Sequence, residues 1–150
     1  MDTDPLSEID AIIDAEEDRR SEREQRETAR IDAQQAWEAK FGTWAFEFAI
    51  PVFQPFVERF RLKGWDSDAA ASKSNSAQFA QGTQPDAVEF HATSPAQARL
   101  NIRFARAAKA DHVEVSTPIS AATTLPIADV DAAYIQNLVI ESSKARFGAS

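Results

Sequence analysis

The chain has 150 residues, of which 43% are apolar and 27% charged, with no cysteine and a formal net charge of −8. This length predicts one domain with a real core, and the lack of cysteine excludes disulfides and cysteine nucleophiles. No run approaches the ~20 apolar residues of a membrane span, and the acidic start is unlike a secretory signal. We therefore expect a cytoplasmic protein, or one carried inside a larger particle.

The negative charge is concentrated at the N-terminus. Residues 1–32, here called the arm, hold twelve acidic residues and five arginines, a net charge of −7. Residues 33–150, the body, hold twelve acids and eleven bases, a net charge of −1. Because the body is nearly neutral, the overall pI of about 4.7 argues only weakly against a nucleic-acid partner there.

The arm begins with a pattern typical of an amphipathic helix. Asp4 and Pro5 suit the N-cap and the first helical position. Leu6, Ile9 and Ile13 then recur at helical spacing. This short apolar stripe is the first candidate protein-interaction element.

The rest of the arm is highly charged. Residues 16–30 contain no apolar side chain larger than alanine, and we expect ion pairs between Glu16 and Arg20 and between Glu22 and Arg26. Two interpretations remain open. The arm is a solvated or frayed helix, or it is a tether that presents the apolar stripe to another subunit or partner.

Aromatic residues are concentrated just after the arm. Eight of the fourteen Phe, Trp and Tyr residues lie between positions 37 and 60, and a soluble monomer cannot leave so many exposed. We expect them to form the core and a self-association surface, and we count Trp37, Phe41 and Trp44 as candidate interaction residues. The eight are Trp37, Phe41, Trp44, Phe46, Phe48, Phe53, Phe56 and Phe60.

Two helices are predicted over this aromatic region. The first covers 31–50 and bends or ends at Pro51, because proline lacks the N–H and clashes with the preceding turn. The second runs from Pro51 or Pro55 to Lys63, with Gly64 as its C-terminal stop. Residues 66–85 then predict a long polar loop, with a short strand about Phe79.

Strand patterns occupy 87–93 and 111–117, where apolar and polar residues alternate. The segment between them has two interpretations. Six alanines between 96 and 110 and the pair Ser94-Pro95 favour a helix, giving a βαβ unit. The alternative is a strand over 98–106, because apolar residues stand at every second position: Leu100, Ile102 and Phe104. The region would then be a three-stranded meander. We prefer the helix, because the hairpin tip at 107–110 has no glycine or asparagine to make the turn.

A last helix is predicted after a Ser/Thr-rich connection at 118–124. Asp129 and Asp131 suit its start, and Gly148 its end. The fold class is therefore α+β or small α/β: an N-terminal charged helix, aromatic-rich helices, a βαβ unit or meander, and a C-terminal helix.

Both histidines lie on the predicted strands, two residues from a carboxylate. The pairs are Glu89 with His91 and His112 with Glu114, and each pair shares a strand face. If the two strands are neighbours, these side chains suit zinc or manganese. Such spacing arises easily by chance, so an ordinary polar face is the better interpretation, and we predict no metal and no cofactor.

Two sites could bind anions. The strand ends carry Thr93-Ser94 and Ser116-Thr117, which would meet at one edge of a parallel sheet, and Ser94 would start a helix. The second site is the opposite face of that helix, where four cations could grip phosphates, face solvent or dock an acidic arm. These cations are Arg99, Arg103, Arg106 and Lys109.

These observations favour a non-enzymatic protein-interaction module, such as an adaptor, an assembly subunit or an inhibitor. It would act through the arm and the aromatic-rich surface on another protein, and we expect homo-oligomers. The alternatives are a nucleic-acid-associated protein using Arg99–Lys109 and a small metal- or phosphate-handling enzyme using His91 and His112.

Overall fold

A computed structural model describes residues 4–72 and 84–148. The chain divides into two compact units, Met1–Ala36 and Trp37–Ser150. The helix α1 spans Pro5–Trp44, a π-helical turn spans Ala45–Ala49, and α2 spans Ile50–Leu62. Five strands follow: β1 Asp66–Ser72, β2 Ala87–Thr93, β3 Arg99–Arg106, β4 His112–Thr117 and β5 Ser120–Pro126. A 3-10 turn, Ile127–Asp129, leads to α3, Ala132–Phe147.

The first unit is helical and begins where the sequence predicts. The backbone N–H of Leu6 donates to Asp4 Oδ1 at 3.1 Å, so Asp4 is the N-cap. Glu22 pairs with Arg26 at 3.6 Å as expected. The expected pair between Glu16 and Arg20 is wrong, because Glu16 contacts Arg19 at 2.9 Å and Arg23 at 3.3 Å instead.

The π-helical turn explains how the chain accommodates Pro51. The N–H of Ile50 donates to the carbonyl of Ala45, five residues back. This wider turn lets α2 begin directly before a proline that would disrupt an ordinary α-helical turn. The chain therefore stays helical through Pro51, with the π-helical turn before it and α2 after it. Pro55 lies inside α2.

Gly64 ends α2 as predicted. Its φ is +84°, and its N–H donates to Arg61 O at 3.0 Å while Trp65 N–H donates to Phe60 O at 3.0 Å. This pattern is a Schellman motif. The Trp65 ring packs against Phe60 with ring centroids 5.1 Å apart, which places an aromatic pair at the end of α2.

Substitution of Gly64 should test this helix end. We expect Gly64→Ala to lower the free energy of unfolding by about 1–2 kcal/mol, because an L side chain is strained at positive φ. Gly64→Asn is the matched control and should cost less, since asparagine tolerates this conformation. Urea denaturation measures both, and equal stability of Gly64→Ala and the parent would contradict the prediction.

The sheet is an antiparallel meander in the order β1-β2-β3-β4-β5, so the fold is mixed α+β. The preferred helix at 96–109, and with it the βαβ unit, is wrong; the alternative meander is present. Ser94 caps the tight connection between β2 and β3, where its Oγ accepts from Ala98 N–H at 3.0 Å. Asp111, with φ +60°, supplies the left-handed residue at the next hairpin, which replaces the missing glycine.

Two strands were missed by the sequence analysis. Asp66–Ser72, taken as the start of the polar loop, pairs with β2 as β1. Ser120–Pro126, taken as part of a connection, pairs with β4 as β5. The predicted strand about Phe79 lies outside the described residues.

The core of the second unit lies between the helices and one face of the sheet. Phe53 stacks on Phe90 with ring centroids 5.1 Å apart and planes 8° apart, and Trp44 meets Phe104 edge to face at 5.7 Å. Trp37 donates from Nε1 to Ala107 O at 3.0 Å. These contacts fix the aromatic segment on the sheet and leave the opposite sheet face polar.

The C-terminal helix is also confirmed. Its N-cap is Asp131, whose Oδ1 accepts from Tyr134 N–H at 2.8 Å, and Gly148, with φ +87°, follows its last residue. The side chains of Ile135 and Val139 are buried in the core. Burial raises the pKa of Tyr134. This helix and α2 pack against each other, and their C-terminal ends frame a surface groove.

Candidate interaction surfaces

The arm carries an exposed apolar stripe. Leu6, Ile9 and Ile13 are 72%, 51% and 48% exposed, and Ile12 beside them is also exposed. The described part of the first unit contains no buried residue. Each such side chain would be stabilised by about 1.5–3 kcal/mol if it were fully buried.

Exposed ion pairs lie along the part of α1 that follows the stripe. Arg30 donates to Glu27 at 2.6 Å, and hydrogen bonds from Arg30 hold the pKa of Glu27 below its usual value. Hydrogen bonds from Arg19 and then Arg23 likewise lower the pKa of Glu16. These carboxylates are fully exposed, and such pairs each contribute little. The arm is therefore a charged helix without a core of its own.

A second surface is an apolar groove between the C-terminal ends of α2 and α3. It has a volume of about 490 Å³ and is open to solvent. Trp65 lies against Phe147 edge to face, with ring centroids 4.8 Å apart, and Ile140 on α3 is 43% exposed. The groove is lined by Phe56, Arg59, Phe60, Trp65, Val139, Ile140, Ser143, Lys144, Phe147 and Gly148.

The polar groups of this groove are few and mostly cationic. Arg59 and Lys144 line it and are exposed, and Lys144 has a long contact of 3.7 Å with Glu141. The Oγ of Ser143 is buried without a hydrogen-bond partner among the described residues. Apolar walls with a few polar groups are typical of a binding site. The sequence patterns did not predict this groove, although an aromatic residue in the last turn of α3, Phe147, was a signal for it.

The predicted interaction residues of the aromatic segment lie in the core. The side chain of Phe41 is fully buried and that of Trp37 nearly so, and Trp44 is partly buried against Phe104. Residues that contact their own sheet cannot also cover a partner. An aromatic self-association surface at Trp37 and Phe41 is therefore corrected to a packing role.

The four predicted anion ligands do not form one basic face. Arg99 and Arg103 line a shallow depression of about 340 Å³ on the polar sheet face, and Arg103 Nε contacts Glu89 Oε1 at 3.2 Å. Arg106 donates to Pro85 O at 3.1 Å, and Lys109 lies in the connection after β3. These cations were predicted to share one face because of their helical spacing. In a strand the same spacing puts Arg99 and Arg103 on one face and Arg106 on the other, and Lys109 lies beyond the strand.

Only some of the residues predicted at the strand ends, Thr93-Ser94 and Ser116-Thr117, lie near these cations. Ser116 and Thr117 line the same depression as Arg99, together with Asn101 and Pro118. Thr93 is the register partner of Arg99. Ser94 starts no helix, so the helix-terminus anion site proposed for it is wrong. The lining of the depression contains two arginines and no acid, and one of them, Arg103, is paired with Glu89.

The weak metal candidates lie on strands that are not neighbours. Glu89 and His91 belong to β2, and His112 and Glu114 belong to β4, with β3 between them. His91 lies 3.8 Å from Asp66, and His112 Nδ1 is 2.8 Å from Ala110 O. Within residues 4–72 and 84–148, no three potential metal ligands come together.

No helix in the described part of the chain is long and apolar enough to cross a membrane. Comparison with protein-family models, with curated proteins and with solved structures found no match. The exposed stripe of the arm and the groove between α2 and α3 are the two candidate interaction surfaces.

Proposed function

We propose that this protein is a non-enzymatic interaction module, such as an adaptor, an assembly subunit or an inhibitor, that binds another protein through its arm. The observation that carries the proposal is the exposed stripe of Leu6, Ile9 and Ile13. Isolated apolar side chains are common on protein surfaces. Three at positions i, i+3 and i+7 of one helix form the anchor pattern of a helix that binds in a groove.

The charge of the arm supports the same function. Asp10 and Asp14 each follow an isoleucine of the stripe, and one residue turns the helix by about 100°. These carboxylates therefore border the stripe on one side. A partner with an apolar groove and cations along its edge would satisfy both features, and long-range attraction would raise the association rate at low salt.

The proposal is tested by affinity capture from the native host with quantitative mass spectrometry. The variant Leu6→Ser, Ile9→Ser, Ile13→Ser should lose the proteins that the parent chain enriches, with affinity falling by about 30-fold or more for each anchor that is a hot spot. The matched control is Ile31→Ser, which removes an exposed isoleucine of the same helix outside the stripe. An unchanged set of captured proteins in the triple variant would contradict the proposal.

A further inference from the structure

We propose that the partner of the arm is a second copy of this chain, whose groove between α2 and α3 receives the stripe of Leu6, Ile9 and Ile13. This inference rests on the proposed function and names the partner of the arm. The stripe exposes three apolar side chains at helical spacing, and the groove has apolar walls that are open to solvent. A contact between copies would cover both.

The groove has the chemistry that the stripe requires. Its walls are aromatic and aliphatic, and the Trp65 ring contacts those of Phe60 and Phe147. Ile140 projects from α3 at its edge, 43% exposed. Helical anchors enter such grooves with their apolar side chains while the helix backbone stays paired within itself.

The charges that border the groove favour it as the binding site of the arm over apolar surfaces without cations. The groove carries Arg59 and Lys144, and the stripe is bordered by Asp10 and Asp14 on an arm of net charge −7. Opposite charges along an apolar contact favour the correct pairing and disfavour wrong ones.

The two surfaces are different, so the contact allows two arrangements. Two copies can exchange arms in a closed dimer, or each arm can bind the groove of the next copy and form a ring or a chain of copies. The average mass should rise with protein concentration. The same asymmetry allows a defective arm and a defective groove to complement each other.

Light scattering of the full chain and its variants tests the proposal by complementation. The arm variant (Leu6→Ser, Ile9→Ser, Ile13→Ser) and the groove variant Ile140→Glu should each be monomeric where the parent chain is associated. A mixture of the two should form a 1:1 complex, because the intact arm of one meets the intact groove of the other. The control Leu62→Glu changes an apolar residue that is 80% exposed and lies outside the groove, and it should leave association unchanged.

A charge exchange provides a second measurement that does not depend on an apolar substitution. Lys144→Glu should weaken association several-fold, and adding Asp14→Lys should restore it, since the same pair would meet with its charges reversed. Circular dichroism melting identifies any variant that fails to fold. If Ile140→Glu is one of these, the charge exchange alone decides.

The outcomes separate this inference from the proposed function. A parent chain that stays monomeric at all concentrations, or folded variants whose mixture forms no complex, would overturn docking between copies. If the host capture still shows a foreign protein lost on substitution of the stripe, the interaction function stands with another partner. If neither the mass nor the captured proteins respond to the stripe, both proposals fail.

Discussion

Phe53→Ala should lower the free energy of unfolding of the second unit by about 3–5 kcal/mol. The Phe53 side chain is fully buried, stacks on Phe90 and lies 6.0 Å from Phe104, centroid to centroid. Its removal takes away the stacking on Phe90 and leaves a cavity between α2 and the sheet. Because small domains have a total stability of about 5–15 kcal/mol, this loss is a large fraction of the whole.

Denaturation in urea, followed by tryptophan fluorescence, measures the effect. Phe46→Ala is the matched control, because Phe46 lies in the π-helical turn of the same aromatic segment but is 55% exposed. It should change stability by no more than about 0.5 kcal/mol. Equal effects of the two substitutions would contradict the assignment of Phe53 to the core and Phe46 to the surface.

Two kinds of local signal made part of the fold predictable: glycines that end helices, and the alternation of apolar and polar residues in a strand. Strand β2 matches the predicted bounds, 87–93, because Val88, Phe90 and Ala92 alternate with polar residues and all three are buried. Gly64 and Gly148 end helices because only a residue that tolerates positive φ fits there. Such signals are local, so they can be read from a few neighbouring residues.

Strands β1 and β5 were not predictable from alternation. The inward residues of β1 are Ser67 and Ala69, which are buried but small, so the segment resembles a polar loop. Strand β5 pairs with β4 on one side only, in the sheet order given, and its residues are largely exposed. Without an apolar face, each strand is specified by the pairing of its neighbour rather than by its own sequence.

The groove could not be predicted because its walls are far apart in the sequence. One wall comes from residues 56–65 and the other from 139–148. Each helix places some of its side chains in the core, and the sequence of neither helix indicates that the two C-terminal ends converge. The stripe of the arm was predictable, in contrast, since its three anchors lie within one helix and nothing in the described structure buries them.

The strand at β3 shows how tertiary burial overrides local preference. Alanine and arginine favour helix by less than about 1 kcal/mol per residue. Burial of Leu100, Ile102 and Phe104 contributes about 1.5–3 kcal/mol for each side chain, and only a strand directs all three to the same face. In the helix interpretation Ile102 lay among the cations on the polar side.

Substitution of Ile102 therefore distinguishes the two interpretations. We expect Ile102→Ala to lower the free energy of unfolding by about 2–5 kcal/mol, because the side chain is fully buried opposite Phe90 in the neighbouring strand. Asn101→Ala, one residue earlier on the exposed face, should change it by no more than about 0.5 kcal/mol. A small effect at both positions would restore the helix, since residues on its polar side would lose little on truncation to alanine.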